Sequence, residues 1–331
     1  MLNAPRHAVL SALLLLSSIA AFAQFPFQPA DWALHADFPS EPKGDEQRTP
    51  TPHGDEIAQR QIVEAGTDRL MLIRFVYPIV PAADELRAIY KESVETLMRS
   101  RSGRIVEDVR GDFGEYPGLR LLISHAREKT HREVRLVLIG ASLYVATAEW
   151  AGGPTPSPVS ARFLKSLDVQ PSFLNPKAVA DRERWREIVQ GSFKLRYDAT
   201  RWFRDPEAKE PGSVVLLRVD ELGEAEFITS PERNAKPTME ETVLGAAREN
   251  AEWVKVIRRG KKYRGSVVVE DLRFSVRTEG QTFENHGYYF SGAEGTVQVR
   301  GWASDKNFPQ VEGDHQARRQ RRLKLRVEFQ R

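Results

Sequence analysis

Twice along this chain, short strand-like pieces give way to one segment of helical period and then to four long strand-like runs. The turns dividing those long runs are too short for parallel crossovers, so each half is expected to close as an antiparallel sheet with helix laid against it. In the first half the opening pieces are Trp32–Phe38, Glu56–Glu64 and Leu70–Tyr77, the last bounded by Pro78 and Pro81, which cannot continue a ladder. Leu86, Ile89, Tyr90, Val94, Leu97 and Met98 then fall three or four apart within Ala82–Arg101, one face of a helix, with Asp84 and Glu85 in its first turn. Arg104–Phe113, Gly118–Ala126, Glu133–Gly140 and Ser142–Trp150 follow as a meander, interrupted by Tyr116-Pro117-Gly118 and by a charged hinge over Arg127–Arg132. A short helix over Val159–Leu167 ends this half, and a stretch containing Pro171 and Pro176 breaks the pattern.

The second half runs in the same order. Phe193, Leu195 and Tyr197 alternate with Lys194 and Arg196, and Val214–Val219 and Ala225–Thr229 supply two more strands. Thr238 and Glu241 have capping-box spacing at the head of a helix that would bury Met239, Val243 and Ala247. Strands resume at Trp253–Arg258, Ser266–Arg277, Thr282–Phe290 and Thr296–Trp302. Gly140-Ala141-x-x-x-Val145-x-x-x-x-Trp150 recurs as Gly292-Ala293-x-x-x-Val297-x-x-x-x-Trp302, which predicts an internal duplication. The expected class is α+β, with two similar domains at 24–172 and 191–331 joined by a linker at 173–190. Each domain would be a twisted antiparallel sheet packed against one long and one short helix.

The first 23 residues read as an export signal. Arg6 and His7 form a basic start, Val9–Ile19 is nearly all apolar, and Ala21-Phe22-Ala23 before Gln24 has the small-x-small cleavage pattern. That run is shorter than the roughly 20 apolar residues a spanning helix needs. The protein is therefore expected in the periplasm or outside the cell. Exported chains have disulfides available, yet this one has no cysteine, so packing alone must hold it. The same absence excludes thiol nucleophiles and thiolate metal sites. A net charge of +3 over 331 residues is too small to argue for a nucleic-acid partner.

Trp32–Phe38, the helix Leu86–Met98, Tyr116-Pro117-Gly118, Leu143-Tyr144 and Phe163-Leu164-Lys165-Ser166-Leu167, taken in this order, resemble the PsbP-like superfamily. The resemblance covers most of the first half, and the second half follows it more loosely, ending on a strand pattern in place of a closing helix. It implies a central antiparallel sheet with helices against it, in an accessory or binding subunit. No functional residue is carried over, because no binding motif matches.

The chain has no G-x-S-x-G elbow, Walker-type glycine loop, H-E-x-x-H or EF-hand spacing. His125 and His131, near Glu128 and Glu133, are the residues from which a metal site would be built, although their ordinary reading is a solvated hinge. Glu270 and Asp271, beside Tyr288 and Tyr289, would serve a glycan hydrolase as paired carboxylates; placement on exposed strand ends is the simpler expectation. Two basic runs are the candidate anion-binding residues. Arg258, Arg259, Lys261, Lys262 and Arg264 surround Gly260 in an expected hairpin turn, and Arg322, Lys324 and Arg326 form the outer face of an alternating strand over Arg322–Phe329. These features lead to a non-catalytic exported binding or assembly module of the cell envelope, with no cofactor and an envelope protein or anionic glycan or lipid as partner. The alternative is an envelope hydrolase acting on glycan or peptidoglycan.

Overall fold

The computed structural model describes residues 24–100, 103–208, 210–233, 239–264, 267–309 and 326–329. The expected export segment 1–23, Thr238 of the expected capping box, and Arg322 and Lys324 of the second basic run lie outside them. The first half runs β1 (Phe25–Phe27), β2 (Leu34–Phe38), β3 (Lys43–Thr51), β4 (Gly54–Ala65), β5 (Asp68–Val76), α1 (Leu86–Ser100), β6 (Arg104–Arg110), β7 (Gly118–His125), β8 (Thr130–Ile139), β9 (Ser142–Ala151), α2 (Pro158–Ser166) and β10 (Asp168–Val169). After α3 (Pro176–Arg184) come β11 (Trp185–Gln190), β12 (Phe193–Asp198), β13 (Trp202–Arg204), β14 (Ser213–Arg218) and β15 (Glu224–Ser230). Then follow α4 (Met239–Glu249), β16 (Trp253–Arg264), β17 (Val267–Thr278), β18 (Gln281–Gly292), β19 (Gly295–Ser304) and β20 (Arg326–Phe329). Among the described residues no helix is long and apolar enough to cross a membrane.

The two halves share one connectivity. Seven-stranded sheets of order β3-β4-β5-β9-β8-β7-β6 and β13-β14-β15-β19-β18-β17-β16 each consist of three meandering strands, a helix, and four more strands whose last returns to pair with the third. Three-stranded sheets β1-β2-β10 and β11-β12-β20 correspond in the same way. Even an irregularity recurs: the register shifts at Val106, between Ile105 and Glu107 of β6, and at Ile257, between Val256 and Arg258 of β16. A bulge of this kind twists an edge strand away from further pairing, and both edges carry it at the same step.

Each large sheet is covered on both faces, where the sequence led us to expect a helix on one. In the first half, Ile89, Tyr90, Val94, Leu97 and Met98 of α1 pack on Leu121, Ile123, Leu143 and Val145. The opposite face, with Tyr144, Ala146, Ala148 and Trp150, packs on Leu34, Ala36 and Phe38 of β2 and on Phe163 and Leu164 of α2. In the second half α4 places Val243 and Leu244 on Leu272, Phe274 and Tyr289, while Val297 and Val299 face Phe193 and Leu195 of β12. Full burial of a Val, Leu, Ile or Phe side chain contributes about 1.5–3 kcal/mol and the partly buried α1 residues less, so two layers of contact stand in for disulfides.

The sequence repeat is out of register with the structural one. The β8–β9 turn closes between Ile139 and Ser142, and the β18–β19 turn between Gly292 and Gly295. Counted from those turns, Tyr144 corresponds to Val297 and Trp150 to Ala303, whereas the motif aligns Val145 with Val297. One residue of slip reverses the faces: Val145 lies under α1, but Val297 faces the small sheet.

The expected linker 173–190 is structured. Phe173 and Val179 are buried in the first core, and Trp185–Gln190 is β11 of the second small sheet. Adjacent residues tie α3 to both halves. The Glu183 carboxylate accepts from the Ala141 N–H at 2.6 Å, and Arg184 pairs with the buried Asp198 at 2.8 Å.

Candidate functional site

A cleft of about 490 Å³ opens where the halves meet. The β3–β4 turn supplies His53 and Gly54 from the first half, with Pro78 beyond β5; the second half supplies Arg186 of β11, Tyr197 of β12, Phe203 and Arg204 of β13, the loop residues Asp205, Pro206, Ala208 and Glu210, and Ser213 of β14. Antiparallel pairing sets Arg186 directly opposite Tyr197, which places both side chains on one face. Arg186 Nη1 donates to the Pro78 carbonyl at 2.6 Å, so the same guanidinium that lines the cleft also joins the halves. The His53 ring stands edge-on to Phe203 with centroids 4.7 Å apart. Burial pushes the Tyr197 hydroxyl above its ordinary range, opposed by the charge and hydrogen bond of Arg186 and by the charge of Arg204. Ser213 donates its hydroxyl to Glu226 at 3.0 Å rather than to His53, so no serine–histidine pair forms here.

The first basic run is a strand and not a turn. Gly260 lies within β16 opposite Asp271, because the ladder continues through Arg264 and the reversal comes after it. Alternation sends Arg258 and Lys262 to the Asp271 face, and Arg259 and Lys261 to the face of Leu272. The run therefore presents no single basic surface. Arg264 and Arg326 fall on β16 and β20 by backbone position. Asp271 is only 3% exposed and pairs with Lys262 Nζ at 2.5 Å, His286 Nε2 at 2.7 Å and Arg258 at 3.3 Å. Burial alone would raise its pKa, yet the hydrogen bonds from His286 and Lys262 outweigh it and hold the carboxyl below the ordinary aspartate range.

The first half builds the same cluster with charges reversed. Counted from the two bulges, Glu107, Arg120 and Glu133 occupy the positions of Arg258, Asp271 and His286. There Arg120 is the hub, 3.3 Å from Glu107 and 3.0 Å from Glu133, with Arg135 closing on Glu133 at 2.8 Å. Two networks of opposite sign at one place in a repeated sheet act as internal clamps across three strands.

The paired-carboxylate site does not form. Glu270 and Asp271 are neighbours in one strand, so they point to opposite faces: Glu270 lies across from Tyr289 and Asp271 from Tyr288. Nor do these residues sit on strand ends, since both are within β17. The histidines also separate. His125 is buried, whereas His131 stacks on Trp150 and bonds the Gly152 carbonyl at 2.9 Å through Nδ1, and Glu133 is taken by Arg120 and Arg135. The hinge reading fails for His125 because its ring packs in place of open solvent. The cleft residues went unnoticed in the sequence because they come from separate stretches of both halves and match no motif; the one local signal is Arg186 before an alternating strand.

No family model and no curated protein matches the chain. Among solved structures it is similar to cyanobacterial PsbP (CyanoP) from Synechocystis, at 11% identity and a TM-score of 0.31, over 44% of this chain and 92% of that one. It is also similar to the immunity protein TplEi of a Pseudomonas aeruginosa T6SS, at 12% identity and a TM-score of 0.23, covering 85% and 87% of the two chains. The MucA/MucB complex of Pseudomonas aeruginosa gives 11% identity and a TM-score of 0.15, covering 93% and 92%. At such TM-scores none of the three carries a residue's role or an activity to this chain.

Proposed function

We propose that this protein is a non-catalytic, exported binding module of the cell envelope, built from two PsbP-like units, whose ligand enters the cleft between its halves. The observation that carries this reading is the cleft itself, walled by both halves and lined by aromatic, cationic, acidic and hydroxyl groups, with no serine–histidine pair among the described residues. Junctions between repeated units are common places for ligand sites, since a concave surface arises there without opening either core. The export pattern at residues 1–23 supports a working location in the periplasm or outside the cell.

The test is in-cell photo-cross-linking of the full chain with a photoreactive residue at Ala208, in the cleft, or at Glu95, on the outer side of α1. An adduct in the envelope fraction from Ala208 alone, identified by mass spectrometry, supports the reading. Cross-linking from both positions alike, or retention of the uncleaved chain in the cytoplasmic fraction, overturns it.

A further inference from the structure

Several arginines around the second half are matched with a carboxylate. Arg184 is paired with Asp198, Arg218 with Asp220, Arg273 with Glu284, Arg277 with Glu252 and Arg300 with Glu226. Arg186 and Arg204 are not so paired, and neither is Arg196, whose guanidinium lies 4.9 Å over the Trp185 ring. Among the described residues no ion pair engages the Arg186 or Arg204 guanidinium, although Asp205 and Glu210 line the same cleft. Asp205 is occupied otherwise, its carboxylate accepting from the Glu207 N–H at 2.8 Å. Arg186 is half-buried and held in place by the Pro78 carbonyl, so its remaining donors are fixed in direction before any ligand arrives. Beside the two guanidiniums stand the Tyr197 hydroxyl and a wall of Phe203, His53, Pro78 and Pro206.

A planar fork of N–H donors matches a carboxylate or phosphate, and an aromatic wall favours a flat apolar body. Resting on the cleft reading above, we propose that the ligand is a small organic anion, a carboxylate or phosphate ester on an aromatic body. Its charged group would be clamped by Arg186 and Arg204 with the Tyr197 hydroxyl, and its ring would lie against Phe203 and His53. Arg258 and Lys262, whose charge Asp271 already opposes, have no part in this site.

The experiment is calorimetric titration of the mature chain with phenyl phosphate, benzoate, inorganic phosphate and neutral benzyl alcohol. Saturable binding of an aryl anion is expected, tighter than inorganic phosphate and benzyl alcohol, and the stronger of phenyl phosphate and benzoate identifies the charged group. Arg204→Gln, at an exposed position, should weaken it about tenfold, the loss expected for one charge-assisted contact, while Arg258→Gln leaves it unchanged. Arg186→Lys keeps a donor for the Pro78 carbonyl but loses the fork, and should weaken it comparably with the melting temperature held. Equal binding of benzyl alcohol and the aryl anions overturns charge recognition but leaves the cleft reading standing. Absence of binding by all four probes, together with no adduct from Ala208 in the cell, removes both. Aryl-anion binding unaltered by Arg204→Gln and Arg186→Lys rules out the assigned residues and so overturns the proposal.

Discussion

The Asp271 carboxylate is buried and ionised at once because three cationic or donor groups reach it across β16 and β18. Gly260 stands directly opposite it with open space where a side chain would project, so the flanking Arg258 and Lys262 can both lean in. Asp271→Asn should lower stability at neutral pH by about 1–3 kcal/mol, below the range for a fully buried pair because Arg258 and Lys262 keep access to water. The folded carboxyl titrates below the unfolded value of 3.8, so its stabilisation is complete above that value and declines as pH falls beneath it. Urea unfolding of parent and variant should therefore show a stability gap that narrows once pH drops under 3.8. A gap of constant size down to the acid limit would mean that ionisation is not its source. Tyr289 gives the opposite case: its hydroxyl is buried with no partner, and burial drives its pKa well above the ordinary tyrosine range despite the charge of Arg300. Tyr289→Phe is expected to leave stability unchanged or raise it by up to about 1 kcal/mol, read as a higher melting temperature; a clear loss would reveal a bond to that oxygen.

At the level of elements, α2 begins where Ser157 accepts from the Ser160 N–H at 3.1 Å, and both serines donate to the buried Asp68 at the head of β5. The cap thus fastens the helix to the sheet as well as satisfying its own first turn. Ser157→Ala should cost about 1–2 kcal/mol, more than Ser93→Ala on α1, whose hydroxyl only bonds back to Ile89; equal shifts in thermal midpoint for the two would contradict this. Periodicity made most elements readable, and α1 is the clearest case, since its apolar positions are the ones that meet the sheet. It failed where burial leaves no pattern. β3 is exposed through nearly all its length and carries Pro50, so Lys43–Thr51 reads as polar loop although it pairs with β4 throughout, with Asp45 facing Arg60. α3 was hidden behind Pro176, which sits at the first helical position, where its missing N–H costs nothing, while Asn175 caps the Ala178 N–H. The repeat motif misled by one residue because Gly and Ala mark turns in both halves but occupy different steps of them. Of the cleft, a single stretch shows only Arg186 ahead of the alternating strand, because its other walls come from distant segments.

On the scale of the molecule, the chain carries two sheets of the same strand order, and α3 explains how they are joined. The halves meet through few direct bonds, chiefly Val80 N–H to the Ala199 carbonyl at 3.4 Å and Arg186 to Pro78. Glu183 and Arg184 add a tie on each side: the first sits over Gly140, whose φ of 61° a side chain would strain, and the second over Asp198, which is wholly buried and also accepts from Thr200. Coupling between the halves should therefore depend on two consecutive side chains more than on the seam. Calorimetry of the full chain is expected to give one transition for the parent and two for Glu183→Ala/Arg184→Ala. The lower transition should fall by several degrees for each kcal/mol lost in a unit of this size. The seam bonds are untouched by the double change, so a single transition that merely shifts downward would assign the coupling to Arg186 and Val80 instead. In that event Arg186→Ala, which removes the donor to the Pro78 carbonyl, should be the variant that separates the halves, rather than the α3 pair.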